Sequence, residues 1–465
     1  MTTKKLKMGA AVAVFALSNC IFPAMAAGEA KNIIFFLGDG MGPVTKTAAR
    51  IYKYGEAGSL AMDTLPYTAR IKTYSLDAQT TDSAPSMAAY MTGVKERNDV
   101  LSMSGDTLAK APSRDSVTGV SNSVTNCLPT NGNPVTTLTE FAIAKGKATG
   151  AVTTTRFTHA TPAATYAHSC HRDAEYEIAR QAVPGGAGFN SKLGNGLDVM
   201  MGGISYYWRP FVAGTTPRGR PDGRDLISEL QGQGYTYVSD RAALLAAPDT
   251  KLIALFDFAL AQGHMSYNVD RDPAKEPSLA EMTTKAIDIL SKNANGYFLM
   301  VEGGRIDHAL HGTNAKRALE DTVAFDDAIK AALAKVDLTN TLIVVTADHD
   351  HTMAFNGYGK LGSPILGNNI NYQTGKLSLD ADGMPYSTLV FGNGPNRKDV
   401  RAAIDTTIVE GLNYQQESAI RVGNGNESHG GGDVQLYATG AAAKTFKGTI
   451  DNTKVFSLVK AAGGL

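Results

Sequence analysis

The stretch GYFLMVEGGRIDHALHG (296–312) joins an unbroken apolar run to two glycines and then to a cluster of acids and histidines. A run without polar alternation suits a strand buried on both faces, the kind that sits in a parallel sheet between layers of helix. If the chain turns helical after the glycines, Asp307 and His311 stand at i and i+4 on one face, where both can reach a single ion. Read alone, the cluster also suits a charged helix start carrying surface histidines, so the other segments decide.

Similar apolar runs recur at 32–37, 149–154, 251–256, 341–347, 387–392 and 433–438. Helical patterns lie between them, clearest over Leu279–Leu290, Lys316–Ala334 and Asn452–Ala461. The alternation predicts an α/β protein, a three-layer α/β/α sandwich around a large, mostly parallel central sheet. In such sheets ligands collect at the carboxyl ends of the strands. Two polar, glycine-rich stretches, about 101–135 and 355–386, read as insertions: the first a loop or small cap, the second an excursion over the site or an oligomer contact.

The 465 residues, 43% hydrophobic and 19% charged, are ordinary for a soluble globular chain. Lys plus Arg and Asp plus Glu both number 44, so no net field favours nucleic acid as a specific partner or an anionic membrane. Residues 1–26 have the layout of a cleaved signal peptide: Lys4, Lys5 and Lys7, an apolar stretch, then Ala24-Met25-Ala26. Cleavage leaves 41 basic against 44 acidic residues, and 27–465 as a single exported domain, periplasmic or secreted, with no membrane attachment. A lipoprotein signal ending at Cys20 is the alternative, poorly served by Asn19. The mature chain keeps Cys127 and Cys170, which pair in an oxidising compartment or stay as separate thiols.

Four further segments carry chemistry. LGDGMG (37–42) follows the first strand and sets Asp39 between glycines, suited to a metal or to a simple turn. ADHDH (347–351) places Asp348, His349, Asp350 and His351 at a strand terminus, offering carboxylate and imidazole donors to a borderline-soft ion such as zinc. NESHGGGDVQLYA (426–438) adds His429 in a glycine-rich loop. TTDSAPSMAAYMTG (80–93) sets Ser83 at the start of a small-residue helix, where the dipole favours an alkoxide and an anion; Asp82 and Ser83 are also good caps. Finally, RFTHATPAATYAHSCHR (156–172) supplies His159, Thr161 and Arg172, the last suited to bidentate recognition of a tetrahedral oxyanion.

These motifs, in this order from about Asn32 to the last helix, resemble the alkaline phosphatases. The resemblance implies hydrolysis of phosphate monoesters of broad range, with an alkaline optimum, through a phosphoseryl intermediate on Ser83. It implies two Zn2+ and one Mg2+ per subunit. One zinc takes Asp307, His311 and His429, and the other takes Asp39, Asp348 and His349. Magnesium takes Asp39, Thr161 and Glu302. Arg172, His159 and His308 face the phosphate, and inorganic phosphate is the product. A homodimer is implied as well. Histidine at both 159 and 308 matches the animal-like and several marine bacterial members, and supports hard magnesium less well than a carboxylate. Some animal members have a calcium site; Asp257 and Glu276 fall where two ligands would, but 206–223 offers no matching glutamate, so no calcium is predicted. His168, His171 and His264 read as residues behind the ligands or on the surface, structural in role.

Other readings stay open. SAPSM (83–87) is similar to a sulfatase motif with Met87 in place of its arginine. A phosphodiesterase would use the same scaffold, with Thr80 and Thr81 near Ser83. A non-catalytic phosphate- or metal-binding protein would need the same ligands.

Overall fold

Ile33–Leu37 is buried completely, as are all of Tyr297–Gly303 and Thr341–Thr346, which is what continuous apolar strands at the middle of a covered sheet require. The computed structural model describes residues 30–114, 116, 121–214, 218–258, 263–423 and 425–465. The signal peptide predicted at 1–26 lies outside the described residues. The main sheet has ten strands: β1 (Asn32–Gly38), β2 (Tyr67–Lys72), β3 (Ala148–Arg156), β4 (Val199–Gly203), β5 (Thr236–Val238), β6 (Leu252–Phe256), β7 (Tyr297–Gly303), β8 (Thr341–Thr346), β9 (Val434–Gly440) and β10 (Gly448–Asp451). Their order is β10-β2-β9-β8-β1-β7-β3-β4-β6-β5. Only β9 runs antiparallel to its neighbours, β2 and β8.

The helices that matter for the site are α1 (Pro43–Tyr54), α2 (Ser83–Thr92), α3 (Ala160–Tyr166), α4 (Leu279–Leu290), α5 (Arg305–His311), α6 (Ala315–Lys335) and α7 (Asn452–Gly463). Helices α1, α4 and α5 pack against α6, while α3 and α7 pack against α2. The two groups cover opposite faces of the central strands and give the three layers. α2 is buried along its whole length, and Gly93, in the left-handed region at φ 75°, ends it.

The predicted run at 387–392 forms Leu389–Gly394, but in a separate three-stranded sheet with Met353–Phe355 and Ser418–Arg421 rather than in the main one. The excursion foreseen at 355–386 is thus part of a larger lobe extending to 421. The loop at 101–135 is pinned by a Cys127–Cys170 disulfide, with Cα atoms 5.7 Å apart.

Candidate active site and metal centre

Three neighbouring strands end together. In register, Leu37 of β1 stands beside Glu302 of β7 and beside Thr346 of β8. Just past the strand ends come Asp39 after β1 and Asp348 and His349 after β8, so with Glu302 the parallel ladder brings four donors to one end of the sheet.

Asp39 Oδ1 lies 3.2 Å from His349 Nε2, and Asp348 Oδ2 lies 3.5 Å from the same nitrogen. Ser83 Oγ is 3.1 Å from His349 Nε2 and 3.4 Å from Asp39 Oδ1. A tetrahedral ion with bonds of about 2.0–2.2 Å has donor–donor edges of about 3.3–3.6 Å. The spacings from His349 to both carboxylates, and from Ser83 Oγ to His349 and Asp39, fall close to that range.

A second group adjoins it. On α5, Asp307 Oδ1 and His311 Nε2 are 3.3 Å apart, the i, i+4 pairing expected from the sequence. His429 Nε2 is 3.2 Å from His311 Nε2 and 3.6 Å from Asp307 Oδ1. The other nitrogen of each ring is committed: His311 Nδ1 to the Glu427 carbonyl at 2.6 Å and His429 Nδ1 to the Thr81 carbonyl at 2.8 Å. With Nδ1–H donating, each Nε2 lone pair faces the shared space.

The third group is oxygen-rich. Thr161 Oγ1 is 3.5 Å from Asp39 Oδ2, and donor atoms of Asp39, Glu302 and His159 lie within 4.8 Å of one another. Glu302 Oε2 accepts from Thr155 Oγ1 at 3.1 Å and from Thr153 Oγ1.

Several of these buried polar atoms have no hydrogen-bond partner, among them Asp348 Oδ2, Glu302 Oε1 and His159 Nδ1. Such atoms are costly unless something else satisfies them. Burial, reinforced by neighbouring acids, pushes Asp39 up to about 6, and Asp348 and Glu302 to about 7. Asp348 and Asp39 overcome burial and raise His349 to about 10. Burial also opposes charge on Asp307, yet His311 and His351 hold it well below the usual carboxylate range. This density of acids around unpartnered atoms fits bound cations.

The other side of this end of the sheet is built from α2 and the 156–172 segment. Asp82 caps α2, one oxygen accepting from Ala84 N at 3.3 Å and from Asp99 N at 3.0 Å, the other pairing with Arg172 Nη1. Arg172 Nη2 lies 2.9 Å from His159 Nε2. His159 and His308 rings are 5.5 Å apart, and burial, with Arg172 and Arg305 respectively next in weight, keeps both well below the ordinary imidazole range.

All twelve residues singled out from the sequence come to this end of the sheet. Four others belong here as well. Of the ADHDH residues, His351 faces Asp307 Oδ1 at 2.7 Å and Glu427 Oε2 at 2.6 Å; Glu427, two residues before His429, is the second addition. Asp82 is the third, more than a cap because it holds Arg172. His264, read as structural, is the fourth: its ring lies 4.1 Å from that of His308 and 5.5 Å from that of His159. His168 and His171 instead pair with Glu140 and Asp99. Asp257, weighed for calcium, takes Ser205 N and Oγ at 2.7 and 2.6 Å.

Comparison with known proteins identifies the family. The family model for alkaline phosphatase matches residues 30–465. The chain is 38% identical over 452 residues to the tissue-nonspecific alkaline phosphatase of Gallus gallus, covering 90% of this chain and 82% of that one. It is 37% identical over 455 residues to the alkaline phosphatase of Gadus morhua, covering 90% and 89%. Among solved structures, Thermus thermophilus alkaline phosphatase superposes with a TM-score of 0.66 at 25% identity, covering 95% of this chain and 93% of that one. The enzyme of the Antarctic bacterium TAB5 gives 0.63 at 23% identity, covering 94% and 98%.

Proposed function

The chain belongs to the alkaline phosphatase family and is a metal-dependent phosphomonoesterase; from that premise we propose how its residues divide the work. Asp307, His311 and His429 hold one zinc, Asp39, Asp348 and His349 hold the other, and Asp39, Thr161 and Glu302 hold magnesium. Mixed imidazole and carboxylate donors suit zinc, whereas the all-oxygen set suits the harder ion. When bound, the ions supply Lewis acidity that lowers the Ser83 pKa, offsets phosphate charge and stabilises the leaving oxygen.

Ser83 Oγ is the nucleophile. It forms a bond to phosphorus as the bond to the ester oxygen breaks and the alcohol departs. Water then cleaves the phosphoserine, releasing inorganic phosphate and restoring the hydroxyl. The amino end of α2 faces the developing negative charge. Arg172, anchored by Asp82, grips the non-bridging oxygens, and His159 and His308 border the same space. The observation that carries this assignment is Ser83 Oγ at 3.1 Å from His349 Nε2 and 3.4 Å from Asp39 Oδ1.

The test is release of nitrophenol from an aryl phosphomonoester, beside the matching diester and sulfate, before and after chelation and zinc plus magnesium add-back. Strong preference for the monoester, abolished by chelation and restored by add-back, is expected. A dominant diester or sulfate activity would reassign the substrate class, and zinc binding without turnover would favour a binding protein.

Export through cleavage after Ala26 and folding of 27–465 as one catalytic domain complete the proposal; the Cys127–Cys170 bond supports an oxidising destination, periplasm or medium. No helix among the described residues is long and apolar enough to cross a membrane. A homodimer is supported by the 353–421 lobe, where Tyr358, Leu361 and Tyr372 are 83%, 78% and 57% exposed and the two tyrosine rings lie 6.5 Å apart.

A further inference from the structure

Glu427 is a carboxylate that the reaction does not use, yet its side chain is completely buried beside the first zinc site. One oxygen takes His351 Nδ1 at 2.6 Å and the other takes Thr352 N at 2.7 Å. Its main chain is committed as well: the carbonyl accepts from His311 Nδ1 at 2.6 Å, and the amide donates to the His311 carbonyl at 2.8 Å. His351 in turn places Nε2 at 2.7 Å from Asp307 Oδ1. A single residue thus fixes the tautomer of one ligand, His311, and through His351 the orientation of another, Asp307.

We propose that Glu427 is the positioning residue of the Asp307/His311/His429 site, and that the Glu427–His351–Asp307 chain governs how firmly this site holds its ion. His351 bridges two carboxylates, Glu427 at one ring nitrogen and Asp307 at the other, and cannot turn without breaking two buried contacts. Asp307 Oδ1 is therefore aimed before an ion arrives. The His349 side of the centre shares none of these three side chains as ligands except through Asp307 Oδ1, 4.0 Å from His349 Nε2. Outer hydrogen bonds to ligating groups typically alter metal affinity by about 10- to 100-fold. The inference rests on the zinc assignment above.

The test uses zinc-loaded full-length protein and follows zinc release into excess chromogenic chelator. Glu427→Gln keeps the shape and both backbone contacts to His311 while removing the carboxylate. It is expected to speed release of one zinc by about 10- to 100-fold and leave the other at the wild-type rate. The accelerated phase should be the one missing from His311→Ala. His351→Gln, which serves equally if Glu427→Gln does not fold, should reproduce the effect, and the double variant should add little. Wild-type release rates in both single variants, or equal acceleration of both zincs as from general loosening, would overturn the inference. A wild-type protein that holds no zinc would overturn the metal assignment itself and this inference with it.

Discussion

A hydroxyl is a poor nucleophile at neutral pH, so the role of Ser83 depends on what surrounds its oxygen. Ser83→Ala should fold and keep its metals but lose at least about a hundredfold in turnover, measured on an aryl phosphomonoester with metal content determined in parallel. Near wild-type turnover would remove Ser83 from the mechanism. The carboxylates give a second expectation. In the metal-free protein Asp39 keeps its proton to about pH 6, and Asp348 and Glu302 to about 7. An ion needs them ionised and needs His349, raised to about 10, neutral, so binding must release protons and strengthen as pH rises from about 6 to about 10. Titration calorimetry in buffers of different ionisation enthalpy should show more than one proton released per zinc at pH 6; pH-independent affinity would contradict the ligand set. His159→Asp, adding a carboxylate beside Asp39 and Glu302, should lower the magnesium needed for half-maximal activity, and an unchanged requirement would place His159 away from that ion.

At the scale of elements, Cys127 is bonded to Cys170, two residues before Arg172, and Leu101 pairs with Ser169 alongside, so the described parts of the 101–135 insertion are tied to the segment that carries Arg172. Replacing both cysteines by serine should cost about 2–4 kcal/mol of stability and also weaken phosphate binding, read from denaturant midpoints and product inhibition. Loss of stability with unchanged phosphate affinity would show that Asp82 and His159 hold Arg172 without help from the disulfide. The central strands and the i, i+4 pair on α5 were legible beforehand because unbroken apolar runs and helical spacing are local properties. β2, β4, β5 and β10 were not. β2 is a mostly exposed strand, β4 reads VMMGG, and β5 and β10 span only three and four residues, so pairing with their neighbours rather than a readable local pattern makes them strands. The division of labour in ADHDH was equally hidden. The chain leaves β8 at Thr346, and the turn that follows sends His349 towards Asp39 and His351 towards Asp307, which strand alternation does not encode. Glu427 lacked a signal because its partners are 116 and 76 residues away.

For the whole molecule, the donors we assign to the ions lie on segments far apart in the chain. Chelation should therefore lower the thermal midpoint, with each tightly held ion contributing about 4 kcal/mol when present at a thousand times its dissociation constant. An unchanged midpoint after proven metal removal would mean that the core alone sets stability. The double variant Tyr358→Asp and Leu361→Asp should shift the protein from two copies to one in sedimentation without altering the metal content; a wild-type monomer would assign that patch to something other than self-association. The donors to the centre begin at Asp39 and end at His429, a span that includes strands at the middle of the sheet and a loop that precedes β9. A nascent chain still short of residue 429 lacks a ligand of the first ion, so no partly synthesised fragment carries the complete centre.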